Sequence, residues 1–208
     1  MSRRAVIFDL GGVILGSPLH AIALYERALG IRTGFINGVV VDSDPEGAWS
    51  RLERGELSME DFYPAFERDC GDAGEEISAR ELMERIGEIS QPRPQMLAAV
   101  ERIRARGLQA AALTNNWVGD GAGTDVLKPH FDVFVESSAV QLRKPDPRIY
   151  RHTCLLLGID PGDAVFLDDI GRNLKPAREL GMATIKVVDP DQALGELQEI
   201  LGFSLGPP

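Results

Sequence analysis

The sequence predicts an α/β fold, a doubly wound parallel sheet with a small helical unit inserted after its first strand. Short apolar runs with the length and composition of buried parallel strands recur along the chain: Ala5 to Phe8, Leu108 to Leu113, Phe131 to Val135, Ala164 to Leu167 and Ala183 to Val188. Helical periodicity, without a buried strand, fills the region between the first two runs. Strands and helices then alternate, which is typical of a parallel sheet covered on both faces.

Composition and charge exclude several classes of partner. The 208 residues are enough for one large domain, or for a core and a smaller domain. With 22 Lys and Arg against 32 Asp and Glu, the net charge is -10, which argues against nucleic acid or an anionic membrane as a partner. Asp9 interrupts the early apolar run, so no signal peptide is indicated, and no run has the length of a membrane span. We therefore expect a cytoplasmic protein, and no pattern indicates its oligomeric state.

The inserted unit is predicted at residues 16–91, between the two parts of a core formed by residues 1–15 and 92–208. Apolar residues recur in it at spacings of three and four, and Ser58 and Ser78 each begin a capping-box pattern. The Gly- and Val-rich stretch at residues 34–44 has no assignment. Three aromatic residues are predicted to form the core of this unit rather than a substrate site: Trp49, Phe62 and Phe66.

Helices are predicted between the later strands, at Gln95 to Arg106, Pro147 to Leu157, Leu174 to Leu180 and Asp191 to Leu201. The glycine-rich run at residues 119–123 lacks the spacing of a dinucleotide-binding loop and is predicted as a flexible loop. Because each helix connects parallel strands, we expect all strands to point in the same direction.

Chemically useful side chains follow three of the predicted strands: Asp9, then Thr114 with Asn115, then Asp168 with Asp169. The carboxyl ends of parallel strands share one edge of a sheet, where open α/β sheets bind ligands, so these side chains are expected to meet. Lys144 follows the third strand and is within reach of the same edge. Each residue alone also fits an ordinary alternative: a capping or solvated aspartate, a strand-end turn, or a surface lysine.

Three neighbouring carboxylates point to a divalent cation. Two carboxylates about 4 Å apart repel by about 4 kcal/mol at an effective dielectric constant of about 20, and Lys144 alone cannot neutralise three of them. Oxygen ligands without a nearby His or Cys favour Mg²⁺. Asp9 would supply one oxygen, the Gly11 carbonyl another, and Asp169 or Asp168 the remainder. The alternative for the last pair is helix capping.

The remaining polar groups suit a phosphoryl group. Thr114 and the Asn115 amide resemble half of an oxyanion cradle, and Lys144 supplies a positive charge for the peripheral oxygens. Asp9 would then attack phosphorus in line and form an aspartyl-phosphate.

Four segments resemble the motifs of the haloacid dehalogenase-like (HAD) hydrolases. They are Phe8 to Val13 (FDLGGV), Leu113 to Trp117 (LTNNW), Arg143 to Pro147 (RKPDP) and Val165 to Met182, which begins VFLDDIGRN. The resemblance spans the whole chain, and the fourth motif is highly specific. The helical unit, with Glu53-Arg54-Gly55, is similar to the cap of the subgroup that contains the amino-terminal phosphatase domain of soluble epoxide hydrolase.

This resemblance implies a Rossmann-like core with a cap, and Mg²⁺-dependent hydrolysis of a small phosphorylated metabolite. It implies Asp9 as the nucleophile, and Asp9, the Gly11 carbonyl and Asp169 as Mg²⁺ ligands. Asp168 would support these ligands directly or through water. The implied phosphate-binding residues are Thr114, Asn115 and Lys144, and Asn173 would order the loop of the fourth motif.

Gly11 departs from the family pattern. Phosphatases of this family usually carry a second Asp at this position as the general acid and base, a role worth about 10²–10⁴ in rate. We therefore expect slower turnover, or substrates whose leaving group departs unaided, such as acyl or anomeric phosphates. The alternatives are a catalytically weak or non-catalytic relative that binds phosphate or a partner, and a 2-haloacid dehalogenase, which uses no metal and which the Asp168-Asp169 pair disfavours.

Overall fold

The computed structural model describes residues 3–117 and 124–205, and its centre is a five-stranded parallel sheet of order β3-β2-β1-β4-β5. The strands are β1 (Ala5–Phe8), β2 (Gln109–Thr114), β3 (Val133–Glu136), β4 (Ala164–Asp168) and β5 (Ala183–Lys186). Each predicted strand is present, and the predicted α/β fold is confirmed. The loop predicted at residues 119–123 lies outside the described residues.

Helices form the inserted unit and cover the sheet. Those of the inserted unit are α1 (Pro18–Leu29), α2 (Phe35–Asp42), α3 (Ala48–Glu53), α4 (Met59–Asp72) and α5 (Ala79–Ile89). Those that follow it are α6 (Pro94–Ala105), α7 (Ser137–Val140), α8 (Pro147–Leu157), α9 (Gly171–Glu179) and α10 (Pro190–Leu201). Short helical turns lie at Leu10–Ile14, Asp125–His130 and Pro161–Asp163. Among the described helices, none has the length and apolar character needed to cross a bilayer.

The central strand β1 is fully buried on both faces. Val6 and Phe8 belong to the apolar cluster under α6 and α10, whereas Ala5 and Ile7 belong to the cluster under α8 and α9. This alternation follows from the two-residue period of a strand. Pairing with β2 and β4 on either side sets the register of β1, and with it the position of the residue that follows the strand.

The inserted helices pack around an apolar core of their own. The Trp49 ring lies 5.7 Å from that of Phe62 and 5.3 Å from that of Phe66, measured between centroids, so the predicted aromatic core is present. The Ser58 and Ser78 side chains cap α4 and α5, as their sequence pattern predicts. One segment leads from the sheet into this unit and another leads back to the sheet. These two segments are joined by an antiparallel bridge. The division at residues 16 and 91 stays a prediction.

Helix α2 occupies the stretch that the sequence left unassigned. The buried carboxylate of Glu26, on α1, accepts hydrogen bonds from the N–H groups of Gly34 at 2.7 Å and Ile36 at 2.8 Å. These contacts satisfy donors that the start of a helix leaves without a partner. Because the capping group comes from another helix, the local sequence does not reveal it.

Candidate active site

The register of the sheet brings Asp9 and Asp168 side by side. β1 and β4 pair Phe8 with Leu167, so the next residue of each strand lies at the same level. The Asp9 N–H donates to the Leu167 carbonyl at 2.9 Å and extends this pairing by one residue. β2, on the other side of β1, ends at Thr114. The three strand ends therefore meet at one edge, as the sequence indicates.

Three carboxylates converge at this edge. Oxygen atoms from Asp9, Asp168 and Asp169, one from each, all lie within 4.8 Å of one another. The Lys144 ammonium lies between two of them, 2.8 Å from Asp9 Oδ1 and 2.7 Å from Asp168 Oδ2. Lys144 is 1% exposed, so the alternative of a solvated surface lysine is wrong.

Burial dominates the titration of the cluster. It raises the pKa of Asp9 well above its ordinary value; Lys144 opposes this shift, and Asp168 and Asp169 reinforce it. Burial also raises the pKa of Asp169 to about 6, with a further contribution from Asp168. Burial alone would lower the pKa of Lys144, but the Asp168 and Asp9 carboxylates outweigh it and the pKa is raised. The site therefore favours an added positive charge.

Asp168 and Asp169 differ in how the protein uses them. Asp168 is fully buried, and its oxygens accept from the Ile170 N–H at 2.7 Å, from Asn173 Nδ2 at 3.1 and 3.2 Å, and from Lys144. Asp169 is partly exposed to the cavity, and its Oδ2 accepts from Ser17 Oγ at 3.2 Å. Both oxygens of Asp168 are thus engaged by protein donors, whereas the Asp169 carboxylate faces the cavity.

Thr114 and Asn115 lie beside the cluster and line the same cavity. The Asn115 side chain is already engaged: its Oδ1 accepts from the Lys144 N–H at 2.8 Å, and its Nδ2 donates to the Lys144 carbonyl at 3.0 Å. Its contact with an anion would therefore come from the backbone N–H. The side chain instead fixes the segment that carries Lys144.

A cavity of about 370 Å³ opens in front of these residues. Asp9, Gly11 and Asp169 are among the residues that line it. Its apolar lining from the inserted unit, here called the apolar wall, consists of Leu19, Ile22, Val40, Val41 and Ile86. A concave site with a few polar groups and an apolar lining suits a small organic ligand.

Two residues that line the cavity, Glu53 and Arg143, were not predicted from the sequence as site residues. Both are 8% exposed, and Arg143 Nε donates to Glu53 Oε2 at 2.7 Å. Arg143 also pairs with Asp44 at 2.6 Å. The sequence feature that could have indicated them is their position in two motif segments. Arg143 directly precedes Lys144, and Glu53 begins the Glu-Arg-Gly segment.

A model of the family described as haloacid dehalogenase-like hydrolase matches residues 3–181. The chain belongs to this family. It is therefore a HAD hydrolase, and its resemblance to the family motifs is confirmed. The bifunctional epoxide hydrolase 2 of Sus scrofa is 37% identical over 221 residues, which cover 99% of this chain and 40% of that protein. The chain thus spans well under half the length of this relative.

Two further proteins match this chain over nearly their full length. The sesquiterpene phosphatase astK of Aspergillus oryzae is 24% identical over 203 residues, which cover 96% of this chain and 97% of that protein. A HAD family enzyme of Bacteroides thetaiotaomicron, solved in complex with magnesium and inorganic phosphate, superposes with a TM-score of 0.64 at 18% identity. The superposition covers 90% of this chain and 96% of that chain, and it shows a shared fold.

Proposed function

We propose that this HAD hydrolase is a Mg²⁺-dependent phosphatase of a small phosphorylated metabolite, with Asp9 as the nucleophile. The main support is the position of the Asp9 carboxylate, which lines the cavity, lies 2.8 Å from the Lys144 ammonium and clusters with the Asp169 carboxylate. The sesquiterpene phosphatase relative supports phosphate ester hydrolysis. The magnesium and phosphate bound to the Bacteroides thetaiotaomicron enzyme support the same cofactor and ligand class.

The residues present fit a magnesium ion. Every candidate ligand is an oxygen atom, and the Lys144 ammonium contacts two of the three clustered carboxylates, Asp9 and Asp168. Asp9, Asp169 and the Gly11 carbonyl would hold the ion, with Asp168 in a supporting position. When bound, Mg²⁺ would offset the negative charge of the carboxylates and of the phosphoryl oxygens.

Asp9 is oriented by its neighbours. Among the described residues, the donors that reach its carboxylate, the Leu10 N–H at 2.7 Å and the Lys144 ammonium, both contact Oδ1. Oδ2 is then the oxygen that attacks phosphorus. As the Oδ2–P bond forms, the bond to the leaving oxygen breaks and its electron pair departs with that oxygen. Water then attacks phosphorus, the Oδ2–P bond breaks with its electron pair returning to Asp9, and inorganic phosphate leaves with the protons of the water.

The position where phosphatases of this family usually carry the general acid supplies no proton for the leaving oxygen. Gly11 has no side chain, and a Cβ added there would lie 3.1 Å from Cγ and Cδ of Pro18. Glu53, another acid on the cavity, accepts hydrogen bonds with both of its oxygens and pairs with Arg143, so its carboxylate is already engaged by protein donors. We therefore expect substrates whose leaving group departs unaided, such as acyl or anomeric phosphates.

The apolar wall indicates the chemical character of the part of the substrate that does not carry the phosphoryl group. It lines the same cavity as Asp9 and Asp169, and Leu19 and Val41 in it are 38% and 43% exposed. A substrate with an apolar body would cover these side chains and be favoured by the removal of apolar surface from water. The sesquiterpene phosphatase relative supports this expectation.

A comparison of two substrate classes tests the proposal. Because nitrophenolate leaves without a proton, p-nitrophenyl phosphate should be hydrolysed with Mg²⁺ and not with EDTA, and Asp9→Asn should be inactive. Chloride release from 2-chloropropionate would instead indicate a dehalogenase. No turnover of either compound would indicate a non-catalytic relative.

A further inference from the structure

Glu53 reaches from the inserted unit to the edge of the sheet. It is the last residue of α3, and its Oε2 accepts from Asn115 Nδ2 at 3.1 Å and from Arg143 Nε and Nη2 at 2.7 Å each. Both partners belong to the sheet layer. These three residues, here called the Glu53 clasp, join the two parts of the molecule beside the cavity.

Neighbouring contacts hold the end of α3 in this place. Oε1 of Glu53 accepts from Trp49 Nε1 at 2.9 Å, and its carbonyl accepts from Ser137 Oγ at 2.6 Å. The turn that follows passes so close to the sheet layer that a Cβ on Gly55 would lie 2.8 Å from the Ser138 carbonyl oxygen. The Glu53 carboxylate is therefore fixed from its own helix and from the sheet layer.

The clasp continues to the nucleophile. The side-chain amide of Asn115 uses one oxygen and one N–H on the backbone of Lys144. The Lys144 ammonium in turn contacts Asp9 and Asp168. A continuous path of hydrogen bonds and ion pairs thus runs from the inserted unit to the reacting carboxylate.

Charge balance adds a second reason for Glu53 to matter. Arg143 is buried immediately before Lys144, and its described carboxylate partners, Glu53 and Asp44, both come from the inserted unit. If Glu53 lost its charge, the buried guanidinium of Arg143 would keep only one of these two counter-charges, and it lies directly before Lys144 in the chain. The position of Lys144 would then become less well defined.

We propose that Glu53 is a positioning residue for phosphoryl transfer, which through Asn115 and Arg143 keeps Lys144 between Asp9 and Asp168 while α3 is seated against the sheet edge. This proposal rests on the proposed phosphatase function. In this proposal, the correct placement of the phosphate-binding residues depends on contact between the inserted unit and the sheet edge. Glu53 acts through Lys144 and does not touch the reacting atoms.

Glu53→Gln is a sharp test because the partners of the carboxylate are all donors. Trp49, Asn115 and Arg143 each present N–H groups, so a glutamine NH₂ would face a donor in either orientation. Charge-assisted hydrogen bonds of this kind correspond to about a tenfold to hundredfold change in rate or affinity when lost. Glu56→Gln is the matched control, since Glu56 lies three residues away and pairs with Arg54 at the surface.

The test measures kcat and KM with acetyl phosphate and with p-nitrophenyl phosphate, alongside thermal unfolding and the affinity for inorganic phosphate with Mg²⁺ by calorimetry. Glu53→Gln should lower kcat about tenfold or more for both substrates equally, and weaken phosphate binding. Glu56→Gln should do neither. A merely structural role would lower the unfolding temperature and leave kcat per folded molecule unchanged.

Three outcomes would overturn the proposal: unchanged kcat, a loss confined to the aryl substrate, or unchanged phosphate affinity. If Glu53→Gln does not fold, Arg143→Lys keeps the charge but loses the two-point contact with Glu53, and it should give the same pattern. If the wild-type protein hydrolyses neither substrate, the phosphatase proposal fails, and phosphate affinity alone still decides the role of the clasp.

Discussion

The Lys144 ammonium lies 2.8 Å from the carboxylate of Asp9 and is almost completely enclosed by protein. A buried ammonium is stable only with counter-charges, and Asp168 provides the second one at 2.7 Å. This lysine is therefore a fixed internal charge that the protein holds against its proposed nucleophile. Its removal should affect both folding and catalysis.

Lys144→Met should abolish hydrolysis of p-nitrophenyl phosphate and lower the free energy of unfolding by about 3–5 kcal/mol, because two buried carboxylates lose their counter-charge. Chemical denaturation and steady-state kinetics measure the two effects. Lys128→Met is the control, since that lysine is 44% exposed and its ion pairs are at the surface. Equal stability of the two variants would contradict the prediction.

Titration of Asp169 should make the stability of the metal-free protein depend on pH. Burial raises its pKa from 3.8 to about 6, so between these values the folded state holds a proton that the unfolded state has lost. Its contribution to the free energy of unfolding therefore decreases as pH rises through that window. In EDTA, the advantage in unfolding temperature of Asp169→Asn over wild type should grow from about pH 4 to about pH 6 and then level off. A constant difference would show that the carboxylate titrates normally.

Mg²⁺ binding should have the opposite relation to pH, because the cation needs the ionised carboxylate. Calorimetric titrations of wild type should show Mg²⁺ affinity falling as pH decreases below about 6. In saturating Mg²⁺, the stability order of wild type and Asp169→Asn should reverse.

Gly11→Asp should speed the hydrolysis of alkyl phosphate monoesters relative to p-nitrophenyl phosphate, because an alkoxide leaving group needs a proton. General acid catalysis is typically worth about 10²–10⁴ in rate, which sets the upper limit of the gain. Gly11→Asn has nearly the same size without the acid and is the control. If the two variants give the same alkyl-to-aryl ratio, a missing proton donor does not limit this enzyme.

Gly12→Ala should remove Mg²⁺-dependent activity. Gly12 has a φ of +75°, and an added Cβ would lie 2.0 Å from Asp169 Oδ2. Gly30 has nearly the same φ, +73°, but nothing lies within 4 Å of an added Cβ. Both alanine variants should lose about 1–2 kcal/mol from left-handed backbone strain, but only Gly12→Ala should lose turnover. Loss of activity in both would indicate a general folding defect.

Val41→Asp should raise KM for phosphate esters with an apolar body and leave kinetics with acetyl phosphate unchanged. Val41 belongs to the apolar wall, and a carboxylate there would need to be desolvated by such a substrate. Leu155→Asp replaces another exposed apolar residue, on α8 and away from the cavity lining. If both variants bind the apolar ester like wild type, the wall does not contact substrate.

The sequence was sufficient for the strands and for the convergence of Asp9 with the Asp168-Asp169 pair. Buried parallel strands are readable as short apolar runs, and one shared direction places their carboxyl ends together. The residues alone did not separate the roles of the two adjacent aspartates, and only the family resemblance implied which of them binds Mg²⁺. In the structure, both oxygens of Asp168 accept hydrogen bonds, from Asn173 five residues later and from Lys144 in a different segment.

The contacts that residues of the inserted unit make with other elements could also not be predicted from the sequence. The start of α2 depends on a carboxylate from α1, and the pairing of Glu53 with Arg143 joins residues far apart in the chain. Periodicity and local capping patterns describe one element at a time, so they do not report which charged groups from different elements become buried together.

The narrow space between Gly11 and Pro18 has a consequence for how this lineage can change. Pro18 is the first residue of α1, so any side chain at residue 11 presses on the entrance to the inserted helices. Its rigid ring must yield by a few tenths of an ångström before even a methyl group fits there. Proteins of this family that carry an acid at this position are therefore expected to carry a residue other than proline at position 18, so that the two positions vary together.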